Sequence, residues 1–228
     1  MKTKLFTLAL LLAASLSGFA QDKTSLKAAT KKMIDLTDHE NYSDLTGTVY
    51  PKVFNLISKD DYLNQLEKSM KGPGYTIHMV RIDPSIDYGA IKSYGNGVFC
   101  MVNYNQMMTI EFEQKVAEKD RKAKEDFFKK SLNTEEVYFI DTNNTIDVKR
   151  RVEIVAIADE SSSSQWTFLD PKHPIAKEIF EEEIRNELNN PEVNSEAEAE
   201  KGKGTSSVEA EVAKSKAEKE AILKSQKN

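Results

Sequence analysis

Residues 98–112 form the longest aromatic and β-branched run after position 20, and they constrain the fold more than any other stretch. Such residues favour strands because their side chains pack well on a pleated sheet. We predict that residues 98–104 and 108–112 form two neighbouring strands of one curved sheet. A sheet with an apolar face has to be covered, so the rest of the chain must supply elements that pack on it.

Residues 1–20 have the pattern of a secretory signal peptide. Lys2 and Lys4 supply a positive start, residues 5–16 form an apolar run, and small residues precede the expected cleavage site. The run is shorter than the roughly 20 residues that a membrane-spanning helix needs, so we expect no membrane span. We therefore predict an exported protein, periplasmic or secreted, whose mature chain begins at Gln21.

Cysteine content and charge narrow the class of protein further. Cys100 is the one cysteine, so no intramolecular disulfide can form, and we expect it to be a small buried hydrophobe. The formal net charge is −5 with both signs interspersed, unlike the basic surface of a nucleic-acid-binding protein. We therefore expect a fold held together by its core and no nucleic-acid partner.

Three helices are predicted before the first strand. Residues 22–38 carry an apolar stripe at helical spacing, and a shorter helix follows at residues 42–49. A third helix should begin at Ser58, because Ser58 and Asp61 have capping-box spacing. It should end at Lys71, because a Gly-Pro-Gly sequence follows. The apolar stripe of the first helix consists of Leu26, Ala29, Met33 and Leu36.

The remaining elements follow from changes in periodicity. Alternating apolar residues predict a strand at 75–79, and Gly95-Asn96-Gly97 predicts a tight turn between a strand at 88–94 and the central run. The charged segment 113–130 predicts an amphipathic helix with Val116, Ala123 and Phe127 near one face. The chain then closes with strands at 137–140, 146–148, 153–158 and 165–169, and with a helix at 174–188.

This order of elements predicts an α+β fold. We expect residues 21–190 to form a single domain, in which N-terminal helices pack on a strongly curved, cone-like antiparallel sheet and a C-terminal helix follows. Residues 191–228 contain no aromatic residue and are rich in Glu, Lys, Ala and Ser. Such a segment buries too little apolar surface to offset its ordering entropy, so we predict a charged tail that is disordered or a frayed helix.

Two stretches resemble the nuclear transport factor 2-like, cone-shaped superfamily. The first is residues 42–54, with a Tyr50-Pro51-Lys52 break after a short helix, and the second is the closing hairpin, VAIA at 155–158 and QWTFLD at 165–170. More narrowly, the chain is similar to small exported proteins of Gram-negative bacteria with this fold and no assigned activity. The resemblance implies a conical pocket between sheet and helices, and dimers through the outer face of the sheet.

The residues needed for common catalytic sites do not form a set. The three histidines lack partners at zinc-ligand spacing, and there is no Gly-x-Ser-x-Gly sequence, so we predict no metal, no cofactor and no catalytic residue. Glu111 is the carboxylate of most interest, because it lies between Ile110 and Phe112 in a strand. Alternation allows it to face either solvent or the pocket, where it could act as a base beside a tyrosine.

We expect a non-catalytic, exported binding domain for a small apolar ligand or a protein partner. Two alternatives stay open: a small-molecule isomerase or dehydratase that uses Glu111 or an aspartate with a tyrosine, and a structural module that forms a homodimer through its sheet. Members of the superfamily include both enzymes and binding modules, so fold alone does not decide. The candidate pocket residues are Tyr75, His78, Tyr104, Met108, Glu111 and Trp166.

Overall fold

The computed structural model describes residues 22–189. One compact unit extends through Ile184, and a second unit begins at Arg185. The predicted signal peptide, residues 1–20, and the predicted tail, residues 191–228, lie outside the described residues. Within the described part of the chain, no helix is long and apolar enough to cross a membrane.

Helices and strands are largely segregated along the chain, as expected for an α+β fold. The helices are α1 (Lys23–Asp38), α2 (Tyr42–Leu45), α3 (Lys59–Ser69), α4 (Glu118–Leu132), α5 (Ala176–Ile179) and α6 (Glu182–Leu188). The strands are β1 (Lys71–Gly72), β2 (Tyr75–Val80), β3 (Ile86–Tyr88), β4 (Lys92–Tyr94), β5 (Gly97–Phe112), β6 (Val137–Ile140), β7 (Thr145–Ala158) and β8 (Thr167–Leu169). Short 3₁₀ turns occupy Thr46–Thr48, Pro51–Asn55 and Glu160–Ser162.

The eight strands form one antiparallel sheet that is not closed. The main path runs β1-β2-β5-β7-β6, while β3 and β4 pair with β5, and β8 pairs with β7. The two longest strands, β5 and β7, pair without interruption from Val98 opposite Ala158 to Glu111 opposite Thr145. The predicted α+β class and antiparallel sheet are confirmed.

The start signal predicted for the third helix is confirmed, and the first helix also has a side-chain cap. The Asp22 carboxylate caps α1 by accepting a 2.8 Å hydrogen bond from the Ser25 N–H. The Ser58 hydroxyl caps α3 by accepting a 3.1 Å hydrogen bond from the Asp61 N–H. Side-chain oxygens at this position satisfy backbone donors that the helix itself leaves unpaired, so the residue type and spacing alone predict the boundary.

The central run is one strand, and the prediction of two neighbouring strands was wrong. Asn105 and Gln106 lie between the two predicted strands, but both continue β5 opposite Arg151 and Arg150 of β7. The side-chain oxygen of Gln106 accepts hydrogen bonds from the Arg150 guanidinium, and the ladder continues through both residues. Arg150 likewise continues β7 opposite Gln106, so the predicted strands at 146–148 and 153–158 are parts of the single strand β7.

Two other predicted elements are each split in the structure. The strand predicted at 88–94 is divided into β3 and β4, and Gly89 between them donates a 2.8 Å backbone hydrogen bond to Met101. The helix predicted at 174–188 is divided into α5 and α6 at Phe180, which has extended backbone angles and a buried side chain. Burial of this ring outweighs continuation of the helix.

The buried face of α4 was predicted wrongly. Phe128 is 3% exposed, whereas the predicted Phe127 is 54% exposed. The Phe128 ring packs on Tyr75 and Phe112, with ring centroids 5.1 and 6.3 Å apart. Because this segment has so few apolar residues, periodicity does not show which of the two adjacent phenylalanines faces the sheet.

Alternation along β5 and β7 creates what we call the apolar face of the sheet, defined by Tyr104, Met108 and the residues that alternate with them. It carries two separate buried clusters. The first includes Cys100, confirmed as buried, with Val102, Tyr104, Trp166, Phe168 and the α1 residues Leu26, Met33 and Ile34. The second includes Met108, Ile110, Phe112, Phe128, Ile146 and Val148.

Candidate functional site

Four of the six predicted pocket residues contribute to the two clusters of the apolar face. Tyr104 and Trp166 belong to the first cluster, while Met108 belongs to the second and Tyr75 packs against it. Tyr104 and Met108 are four positions apart on one strand, so they share a face but lie on either side of the Gln106 position. We call the part of the apolar face between Tyr104 and Met108 the strip between the clusters.

The other two predicted residues lie on the opposite face of the sheet and contact each other. His78 Nε2 is 3.6 Å from a Glu111 carboxylate oxygen, and His78 Nδ1 is 3.5 Å from a Glu40 carboxylate oxygen. The Glu111 side chain is 65% exposed, so it takes the solvent-facing of its two predicted orientations. Glu40 also accepts a 3.0 Å hydrogen bond from the Met79 N–H, which satisfies an edge position of β2.

This arrangement of one histidine and two carboxylates is well solvated. A carboxylate that abstracts a proton from carbon needs a setting from which water is largely excluded, and Glu111 does not have one. Among residues 22–189, no group of three or more His, Cys, Asp or Glu side chains has a geometry that could hold a metal ion.

Asp159, which lies between the predicted strands at 153–158 and 165–169, is the centre of a buried hydrogen-bond network. Its Oδ2 accepts hydrogen bonds from the Tyr50 and Tyr94 hydroxyls at 2.6 and 3.0 Å. Its Oδ1 accepts from the Ser161 hydroxyl at 2.6 Å and from the Ser162 N–H at 3.2 Å. The network joins the turn after Tyr50, strand β4 and the end of β7.

The electrostatics of this network indicate a structural role. Burial opposes ionisation of Asp159, but the hydrogen bonds from Ser161, Tyr50 and Tyr94 outweigh it and hold the pKa of the carboxyl below its usual value. Burial raises the pKa of both tyrosines, which keeps them neutral donors. A cleft of about 410 Å³ borders Asp159. With both carboxylate oxygens already hydrogen-bonded, Asp159 is poorly suited to bind or deprotonate a ligand there.

Arg150 and Gln106 form a polar pair on the apolar face, and sequence reasoning missed it. They lie directly opposite each other on β7 and β5, and Gln106 is 5% exposed. Arg150 Nε and Nη2 donate hydrogen bonds of 3.0 and 2.8 Å to one oxygen, Gln106 Oε1. None of the ion pairs among residues 22–189 includes Arg150.

The pair occupies the strip between the two apolar clusters. Burial lowers the pKa of Arg150, while Tyr104 and Asp170 nearby act in the opposite direction. Burial also raises the pKa of Tyr104 to about 12, so its hydroxyl stays protonated. The signal that could have found the pair is alternation: Arg150 lies two residues from Val148 and two from Val152, in phase with the apolar residues of β7.

Trp166 lines a separate groove of about 300 Å³ beside the first cluster. Its indole N–H donates a 3.1 Å hydrogen bond to the Ser25 hydroxyl, which lies in α1. The other residues that line the groove include Ala29, Thr48 and Phe168. As the one tryptophan of the chain, Trp166 provides a fluorescence signal close to the apolar face.

Three polar arrangements differ in how their charges are compensated: His78 with its carboxylates, the Asp159 network, and the Arg150–Gln106 pair. The first is solvated and the second is internally satisfied, whereas the third presents a cation among apolar side chains. No protein-family model, no curated protein and no solved structure matches this chain. The case for a function therefore rests on the geometry of its own residues.

Proposed function

We propose that this chain is an exported, non-catalytic binding domain that takes up a small, largely apolar molecule on the apolar face of its sheet. The binding region is the strip between the two clusters, with Tyr104 on one side and Met108 on the other. A cone-like arrangement, in which the N-terminal helices cover this face as in the nuclear transport factor 2-like superfamily, is part of the proposal.

The observation that carries the proposal is the polar interruption of an otherwise apolar face at Gln106 and Arg150. Placing polar groups among apolar ones costs free energy, about 1–3 kcal/mol for each group left without a partner. An apolar pair at these two positions would join the two clusters into one continuous core. The chain instead keeps a cation at this place, which is the pattern of a binding site: apolar walls with a few polar groups that fix orientation.

An enzyme of the isomerase or dehydratase type receives less support. Its base would be a carboxylate in an apolar setting within reach of a tyrosine hydroxyl. Glu111 is solvated and lies on the face opposite to Tyr104. Asp159 is beside two tyrosines, but its oxygens are already used as acceptors within the network.

Homodimerisation through the opposite face of the sheet also receives less support. The apolar residues of that face, which include Phe99, Met101 and Val155, are already buried within the chain, and its exposed part carries polar groups that pair with each other. The Thr109 hydroxyl donates a 2.8 Å hydrogen bond to Asp147. Arg151 forms an ion pair with Asp87 on the same face. A second copy would have to desolvate these groups without a large apolar area in return, which is unfavourable for a stable interface.

Native mass spectrometry of the protein isolated from its own exported fraction tests the proposal, together with calorimetric titration by octanol and octanoate. We expect either a co-purified small molecule of defined mass or saturable binding of at least one of the two probes. The absence of both would contradict a binding function on the apolar face. A protein that converts the co-purified molecule into a product would favour the enzyme.

A further inference from the structure

The Arg150 guanidinium is only partly satisfied by its neighbours. Two of its N–H groups share a single acceptor, Gln106 Oε1, and that acceptor is neutral. Its remaining N–H groups have no partner among residues 22–189. A guanidinium in a partly buried apolar setting is usually paired with a carboxylate or phosphate in a planar, two-point contact, because its charge is otherwise poorly compensated.

The surroundings of Arg150 distinguish it from the neighbouring Arg151. Arg151 lies on the opposite face and forms an ion pair with Asp87. Arg150 lies between Val148 and Val152 on the apolar face, where no carboxylate contacts it within the described residues. Asp170 is close enough to act electrostatically on Arg150 but forms no ion pair with it. The positive charge of the partly buried Arg150 is therefore not paired with a carboxylate among the described residues.

Gln106 fixes the orientation of the guanidinium. Because Nε and Nη2 both point to the same amide oxygen, the plane of the guanidinium is set, and the Nη1 side is directed away from Gln106. Preorganisation of this kind reduces the entropy lost when a ligand binds. The Tyr104 hydroxyl is neutral and can donate, so it offers a second contact for an anionic group beside the guanidinium.

We propose that the molecule bound by this domain is an organic anion with an apolar tail, whose carboxylate or similar acidic group pairs with Arg150. This inference rests on the proposed function and narrows it to a ligand class. The apolar tail lies against the clusters that contain Tyr104 and Met108. An amine of the same size is repelled by the guanidinium, and an alcohol lacks the charge that the guanidinium needs.

Three probes with the same alkyl tail separate the ligand class from binding itself: octanoate, octanol and octylamine, each titrated calorimetrically into the purified protein at neutral pH. We expect octanoate to bind at least about tenfold more tightly than octanol, which corresponds to about 1.4 kcal/mol, and octylamine to bind more weakly than octanol. Equal affinities for octanoate and octanol would overturn the anion inference and leave the binding function intact. If none of the three binds, the anion inference is overturned, and if no small molecule co-purifies either, the proposed function itself fails.

Two substitutions test whether the preference for octanoate over octanol depends on Arg150. Arg150→Met keeps the length of the side chain but removes its charge, and we expect octanoate to bind no better than octanol. Arg151→Met is the matched control, one residue along the strand on the opposite face, and it should keep the preference. Unchanged discrimination in Arg150→Met would overturn the inference.

Gln106→Glu provides an independent test, because it places a carboxylate against Arg150 within the protein. The new ion pair compensates the guanidinium and competes with an anionic ligand. We expect the preference for octanoate over octanol to disappear, with a circular dichroism spectrum like that of the wild type. A preserved octanoate preference in this variant would contradict the role of Arg150.

Discussion

Tyr50 Oη donates a 2.6 Å hydrogen bond to Asp159 Oδ2 across 109 positions of the chain. The bond connects the turn that follows the N-terminal helices to the end of the long strand β7. Both residues are buried, and Tyr94 donates to the same carboxylate oxygen. Because a buried carboxylate must be compensated by hydrogen bonds or charges, the two tyrosines and the ionised Asp159 stabilise one another.

Removal of one of these donors should destabilise the fold. We expect Tyr50→Phe to lower the free energy of unfolding by about 2 kcal/mol, because it removes a hydrogen bond to a buried charged group. The measurement is urea denaturation at neutral pH. Tyr138→Phe is the matched control: Tyr138 is 59% exposed, and this change should cost less than about 0.5 kcal/mol. Equal stability of the two variants would contradict the structural role of the network.

The same carboxyl makes stability depend on pH. The pKa of Asp159 is lower in the folded state than its ordinary value, so the folded protein binds this proton more weakly than the unfolded chain does. Its contribution to stability is complete above the ordinary aspartate pKa of about 4 and is lost as pH falls through the folded-state pKa. The stability difference between wild type and Tyr50→Phe should therefore shrink between about pH 5 and pH 2. A constant difference over this range would indicate that Asp159 is not the relevant acceptor.

The two adjacent phenylalanines of α4 should respond very differently to truncation. We expect Phe128→Ala to lower the free energy of unfolding by about 3–5 kcal/mol, because it removes a ring that is packed between Tyr75 and Phe112. Phe127→Ala should change it by less than about 0.5 kcal/mol, since Phe127 is mostly exposed. Thermal or urea unfolding of both variants checks this, and similar losses would mean that α4 packs on another face.

Glu40 protects the part of strand β2 that β1 does not cover. Its carboxylate accepts the Met79 N–H of β2, which would otherwise be unpaired at the sheet edge. We expect Glu40→Ala to cost about 1 kcal/mol and to accelerate hydrogen exchange at the Met79 amide. Glu40→Gln keeps an acceptor oxygen and should preserve protection of that amide. Rapid exchange in Glu40→Gln would show that charge, rather than the hydrogen bond, is what matters.

Local signals in the sequence were sufficient for the start of the third helix and for the turn before the central run. The cap at Ser58 and the turn at Gly95 involve residues a few positions apart, so their spacing in the chain specifies the contact. The class of fold followed from the order of these elements. Burial of Cys100 followed from its position among β-branched and aromatic neighbours.

The central parts of the candidate site depend on pairing between distant strands, and they could not be predicted in the same way. Gln106 and Arg150 look like strand breaks in isolation, and each becomes acceptable in the sheet only because the other lies directly opposite. Likewise, the network of Asp159 could not be predicted, because the tyrosines that donate to it are remote in sequence. Buried polar groups are specified by their partners, which local periodicity does not reveal.

The central claim is that a small molecule with an apolar tail binds on the face of the sheet that carries Tyr104, Gln106 and Met108. Met107 and Met108 are adjacent in β5 but point to opposite faces, so their methyl groups report on the two faces separately. The most direct measurement is the NMR spectrum of methionine methyl groups during titration with octanoate. We predict a saturable shift of the Met108 signal with little change in that of Met107. A shift of Met107 alone, or no shift of Met108 at saturation, would contradict the account.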